Sequence, residues 1–480
     1  MIGKARCPNC PGCVLSVGAV TAQSNGRPGM DRADVIVVGA GYAGLSAARA
    51  LRRSGVDVLV LEASARIGGR VHTERIEGGW AIDLGAQSIS QGHTAFAALA
   101  QECGAKTFTP PTAGRSVLLE GTTHRTFKGQ HPPLPPLVLA VLAQAMWRLE
   151  RLAARIDTER PWAAPGADRF DAMTAATWLR RNLPERRARN LAEVMIGEEL
   201  SVDVGSVSML ALLTAIRASG GVESGTAAES VLELFVEGAD APALAIAEEL
   251  GEDLRLDSPV TSIQRLADGV LVGGAFGAVR GERVIVAVPP TLAGRIDYDP
   301  PLPAARDHLT QRVPMGSVLK VFAVYERPFW RDLGRTGQAF NLSGPIPVIF
   351  DASRPGGPGC LGALIPGRAA HRLAELPAAT RRSTVLAEFA RAFGRVALAP
   401  IDWREKAWAE DPYCRGGYNA YFPPGVLTSV GHALRTPVGP IHWAGSETAT
   451  EWSGYIEGAI RSGDRAAAEV LGGLSITAGA

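Results

Sequence analysis

Lysine is nearly missing from this 480-residue chain. Lys4, Lys106, Lys128, Lys320 and Lys406 are the whole set, and the other basic residues among the 49 are arginines. A lysine kept inside an apolar strand of such a chain therefore needs a reason other than solubility. Net charge is missing as well: 49 basic against 48 acidic residues leave +1, and no basic patch points to a nucleic-acid partner. No apolar run reaches the roughly 18 to 20 residues of a membrane helix, so no membrane partner is expected. Cysteine is sparse, with Cys103, Cys360 and Cys414 scattered along the chain. That spacing excludes a disulfide framework and suits a reducing, cytoplasmic setting. Cys7, Cys10 and Cys13 have the two-residue spacing of a metal site, but no fourth ligand follows. Residues 1–30 are expected to be a leader, with Met30 to Asp34 opening the first domain. None of the eight histidines has metal-ligand spacing, no nucleophilic triad can be assembled from motifs, and no metal is expected.

What is present is glycine, 55 residues of it, and a 46% hydrophobic fraction that can bury a large core in one to three domains. Asp34 to Val38 is a continuous β-branched run of the kind buried on both faces of a parallel sheet. Gly39-Ala40-Gly41-Tyr42-Ala43-Gly44 follows, then Leu45, Ala47, Ala48 and Leu51 at helical spacing, then a second strand from Val56 to Leu61 that ends at Glu62. This is one βαβ unit with a dinucleotide fingerprint in its proper context. Gly39 permits the tight turn, Gly41 lets the backbone approach a pyrophosphate, and Gly44 lets helix and strand pack closely. Glu62 arrives where a carboxylate can accept from an adenosine ribose. Gly68-Gly69-Arg70 comes directly after. From about residue 111 the pattern turns helical, through Trp147 and Leu152 and again from Ala175 to Ala218, without glycine punctuation.

Near the other end lie Trp408, Tyr413, Gly416-Gly417-Tyr418, Tyr421 to Gly425, and Trp443-Ala444-Gly445-Ser446-Glu447, continuing through Tyr455-Ile456-Glu457-Gly458. Together with the glycine turn and the strand Met315 to Tyr325 that carries Lys320, this chain resembles a flavin-dependent amine oxidase of the monoamine oxidase family. Gly68-Gly69-Arg70 resembles the second glycine motif of two-dinucleotide-binding flavoproteins, which favours FAD over NAD and sets Arg70 near the pyrophosphate. The resemblance implies an α/β fold, a Rossmann-like FAD domain interleaved with a mixed α+β substrate domain. Its segments would be 31–110, 222–308 and 405–474 for FAD, and 111–221 and 309–404 for substrate.

The residues follow one by one from the same likeness. Gly39, Gly41, Ala43, Gly44, Gly69 and Arg70 would serve the pyrophosphate turn, Glu62 the ribose, and Val260 the adenine through its backbone. Gly85-Ala86-Gln87, Trp408, Gly445, Glu447 and Ile456 would surround the ribityl chain and the ring. Lys320 would hold a water at flavin N5, and Tyr418 and Tyr455 would form an aromatic cage on the path of the amine. Gly417 stands where covalent-flavin members carry a cysteine, so FAD is expected to be non-covalent. Ala218 stands in place of a family glutamine, which leaves the substrate open. The activity implied is oxidation of an amine at the carbon next to nitrogen, with O2 reduced to H2O2. An L-amino-acid oxidase, a desaturase and a non-catalytic flavin scaffold are the rivals. A homodimer is left open, and no apolar anchor of the kind membrane-bound members carry precedes Ala480.

Overall fold

A computed structural model describes residues 31–129, 133–222 and 232–474. The Cys7, Cys10 and Cys13 reading lies outside them. Val35–Val38 is buried at every position, as its unbroken β-branched run demands. It occupies the middle of a five-stranded sheet ordered Leu254–Arg255, Val58–Leu61, Val35–Val38, Arg283–Val286 and Ile441–Trp443. All four pairings are parallel.

The helix Tyr42–Arg53 leaves the end of the central strand, with Gly41 as its cap residue. A side chain at Gly44 would bring its Cβ to 1.9 Å from the Gly39 carbonyl oxygen, so only glycine lets this helix start so near the strand. The closing helix Ile456–Gly473 lies against it, and Gly463 makes the approach possible, because a Cβ there would sit 2.2 Å from the Ala43 carbonyl oxygen.

A second large sheet has seven strands, ordered Asp402–Ala407, Val318–Tyr325, Gly359–Pro366, Val348–Asp351, Arg335–Asn341, Arg115–Glu120 and Thr123–Phe127. Val318–Tyr325 is buried at all eight positions. Leu319, Val321, Ala323 and Tyr325 pack with Val385, Leu386 and Phe389 of the helix Ala378–Phe393. On the opposite face Phe322 and Val324 meet Ile82 and Leu84, and Lys320 shares that face by the strand's period of two. The helices Pro136–Ala153, Ala175–Asn182, Arg186–Leu200 and Met209–Ala218 share one further core. The helical pattern read across that stretch is borne out, and the α/β class with it.

Candidate active site

The helix Tyr42–Arg53 begins without a side-chain cap and without an acidic residue in its first turn. Its first N–H groups therefore lack the internal partners that later ones have. Gly41 bridges to Gly68, and a Cβ on Gly69 would lie 3.3 Å from the Gly41 Cα. Gly39, Gly68 and Gly69 all take positive φ. The result is a cradle with no side chains and a helix N-terminus aimed into it, which suits a phosphate. It opens on a cavity of about 340 Å³. The wall includes Gly39, Gly41, Ala43, Glu62, Gly69, Arg70, Ala86, Val260, Gly445 and Ile456, and also Tyr418 and Tyr455.

Gly44, Gly85, Gln87, Lys320, Trp408 and Glu447 stand outside that wall, each in a supporting position. Glu447 binds the Arg70 guanidinium through both carboxylate oxygens, at 2.5 and 3.0 Å, and also accepts from the Ala420 N–H. Burial opposes ionisation of Glu447, and the Arg70 charge overcomes it, holding the carboxyl below its usual range. Arg70 also donates to the Tyr418 carbonyl at 2.8 Å, so the ion pair fixes the backbone at Tyr418. The Glu62 carboxylate accepts from Ala40 N–H at 2.7 Å and from the Ser64 N–H and hydroxyl at 2.9 Å, which ties the end of the second strand to the glycine turn. Trp408 is buried and donates to the Leu84 carbonyl.

Lys320 is 4% exposed and donates to the Gly85 carbonyl at 2.7 Å and to Gln87 Oε1 at 2.5 Å. Burial pulls its ammonium down to about 7. Behind it Asp83 accepts from Thr73 and from Arg354 at 2.6 and 3.0 Å, and its charge supports the ammonium against burial. The sequence-predicted lysine is thus brought to the Gly85–Gln87 segment, 235 residues away in the chain.

Tyr455 is held edge-on by Trp452 and His93, with ring centroids at 5.3 and 5.2 Å. Its hydroxyl donates to Glu199. The Tyr418 hydroxyl is buried without a hydrogen-bond partner. Both phenols are pushed well above their usual range, first by burial and then by the charges of Glu198 and Glu199. Sequence reading missed His93, Trp452 and the two glutamates. The Glu-Glu pair closes a helix that carries several other charges, so its sequence offered no signal that separates it from a solvated face.

The sequence family described as flavin containing amine oxidoreductase matches residues 42–471. This chain belongs to that family. A flavin-containing monoamine oxidase by name, AofH of Mycobacterium tuberculosis, is 39% identical over 444 residues, covering 91% of this chain and 96% of the relative. A Synechocystis protein named L-amino acid dehydrogenase is 36% identical, over 92% of this chain and 95% of its own length. Among solved structures, wild-type putrescine oxidase bound to putrescine superposes with a TM-score of 0.87 at 34% identity, covering 92% and 99% of the two chains. The amine oxidoreductase is an FAD enzyme that oxidises amines, and the uncapped helix and side-chain-free cradle fit that cofactor. Among the described residues, no helix is long and apolar enough to cross a membrane.

Proposed function

We propose that this amine oxidoreductase catalyses the overall conversion of an amine, O2 and water to an aldehyde or ketone, ammonia or a smaller amine, and H2O2. One observation carries the reading: a single cavity is lined both by the glycine cradle and by Tyr418 and Tyr455. The bound FAD supplies the two-electron oxidant for the carbon–nitrogen bond. The rest of the work falls to the chain. Gly39, Gly41, Gly69 and the helix N-terminus hold the pyrophosphate, while Glu62 and Val260 receive the adenosine half. Arg70 and Glu447 brace the wall from behind. Tyr418 and Tyr455 orient the nitrogen, exclude bulk water and leave the reacting amine neutral. Lys320 keeps a positive or hydrogen-bonding group fixed at the Gly85–Gln87 segment, where it favours negative charge on what lies beside it.

The five-stranded parallel sheet and the seven-stranded sheet support the two-domain partition, with the second substrate segment running on through Ala407. Free Cys103, Cys360 and Cys414 support a reducing, cytoplasmic setting. The likeness to the Synechocystis relative favours one second reading, an amino-acid substrate. Peroxide release from a panel of primary amines, secondary amines and amino acids decides between them. Peroxide with amines supports the proposal, peroxide with amino acids alone transfers it to the second reading, and none with either refutes an oxidase of either kind.

A further inference from the structure

The ion pair most deeply buried at both ends among the described residues lies behind the cavity wall. Arg354 meets Asp83 at 3.0 Å, with 6% and 3% of their side chains exposed. A pair sealed this far from water adds little net stability, because desolvation of the two charges offsets their attraction. The bonds around it show what it holds. Asp83 closes the strand Ala81–Asp83 and uses both oxygens: Oδ1 accepts from the Thr73 hydroxyl at 2.6 Å and the Ala239 N–H at 2.9 Å, and Oδ2 from Arg354. Arg354 follows the strand Val348–Asp351 of the seven-stranded sheet and also donates to the Val236 carbonyl at 3.1 Å. One guanidinium thus ties that sheet to two segments outside it.

Asp83 also begins the stretch that Lys320 grips. Two residues on, the Gly85 carbonyl accepts from the Lys320 ammonium at 2.7 Å, and Gln87 Oε1 accepts from it at 2.5 Å. Between them Ala86 lines the cavity. The Leu84 carbonyl accepts from Trp408, which follows the edge strand Asp402–Ala407 of the same sheet. The other side of the stretch is held just as closely, since the Gly85 N–H donates to the His72 carbonyl and the Ala86 N–H to the Arg70 carbonyl, both at 3.1 Å. A Cβ at Gly85 would stand 2.3 Å from that Arg70 oxygen, so the two segments touch backbone to backbone. Two buried cations, one on the seven-stranded sheet and one on the loop after its strand, therefore hold a single short piece of wall.

We propose that Arg354 is a positioning residue for Lys320: its ion pair with Asp83 fixes residues 83–87 at the depth where the Gly85 carbonyl and Gln87 receive the ammonium and Ala86 closes the cavity wall. Arg354 stands behind that wall and not in it, so it acts only through the stretch it holds. Its guanidinium forks between the Asp83 carboxylate and the Val236 carbonyl, a geometry that a lysine does not reproduce. The inference rests on the amine-oxidase reading above, in which Lys320 keeps a fixed group at this segment.

The test is a double-mutant cycle on the reaction of reduced flavin with O2, followed by stopped flow after stoichiometric anaerobic reduction of the FAD-loaded enzyme with dithionite. Arg354→Gln should slow this reaction, by up to the order of a hundredfold that a displacement of ~1 Å can cost. In a Lys320→Met background the same substitution should change the rate no further, because a residue that acts through Lys320 has nothing left to position. Arg354→Lys keeps the charge without the fork, and its rate should fall between those of wild type and Arg354→Gln. Bound flavin reports folding of each variant. If Arg354→Gln loses its flavin, Arg354→Lys measured with and without Lys320 decides alone. A pair that merely supports the fold would slow the reaction equally in both backgrounds. That result, an Arg354→Gln enzyme as fast as wild type, or a Lys320→Met enzyme as fast as wild type would each overturn the positioning role, while peroxide release with amines leaves the amine-oxidase reading standing. Peroxide with no amine would sink that reading, and the cycle, which needs no amine, would still decide whether Arg354 acts through Lys320.

Discussion

Replacing Lys320 with methionine tests the strand-borne lysine in two independent ways. The ammonium lies in a wholly buried strand, where it donates to the Gly85 carbonyl and Gln87 Oε1, and burial lowers it from 10.5 to about 7. The unfolded chain keeps that proton up to about 10.5, whereas the folded protein releases it above about 7. Between those pH values the unfolded state binds more protons, so the wild type gains stability as pH rises. Each pH unit crossed in that window is worth about 1.36 kcal/mol, so the gain between pH 7 and 10 is about 4 kcal/mol. Lys320→Met abolishes this gain. It also leaves the Gly85 carbonyl and Gln87 without a donor, at a cost of about 1 to 3 kcal/mol each, and that cost does not vary with pH. Unfolding of wild type and variant should therefore be followed between pH 6 and 10, with the wild type gaining on the variant across the upper part of the range. Parallel curves would refute the buried-ammonium account. Reaction with O2 provides the second assay, by stopped flow after anaerobic reduction with an amine. Loss of the fixed group should slow it, and an unchanged rate would remove Lys320 from the catalytic role while leaving its structural role intact.

How much of this was legible beforehand depends on the range over which each feature acts. The glycine turn from Gly39 to Gly44 is local, since backbone conformation and close approach are decided within a few residues, and its sequence pattern and geometry agree. Lys320 was legible through scarcity, in a chain that uses arginine almost everywhere else. Its strand shows no polar alternation because both faces are buried, one under the helix Ala378–Phe393 and the other against Ile82 and Leu84. Arg70 is different. Its partner Glu447 is 377 residues away, and neither residue's neighbours in sequence predict a bidentate pair that holds the Tyr418 backbone. Glu198 and Glu199 were illegible for the opposite reason: two glutamates on a helix with several charged neighbours read as a solvated face, and only tertiary packing encloses them. The asymmetry between the two cage tyrosines was equally hidden, because whether a phenol has a partner is decided by a helix more than 200 residues away in the chain.

Two predictions concern the cavity itself. FAD should be released free into the supernatant on acid precipitation, since Gly417 offers no thiol and burial raises the Cys414 thiol, which lines the cavity, to about 12, far from the thiolate that attachment would require; flavin in the pellet would implicate Cys414. Alanine at Tyr418 or Tyr455 should slow anaerobic flavin bleaching by a saturating monoamine by on the order of a hundredfold, since each ring positions the nitrogen to within ~1 Å, whereas phenylalanine keeps the ring face and should be milder. The two phenylalanine variants should also differ from one another. Tyr418→Phe removes a hydroxyl with no side-chain partner, but Tyr455→Phe strips Glu199 of its donor and leaves a buried carboxyl less satisfied, at a cost of about 1 to 3 kcal/mol. Because the Tyr455 hydrogen bond lowers the Glu199 carboxyl against burial, its loss should move that group further up and displace any pH dependence of amine oxidation to higher pH in this variant alone. Equal rates and superimposable pH profiles for Tyr418→Phe and Tyr455→Phe would refute the asymmetry, and alanine variants no slower than phenylalanine ones would refute the cage.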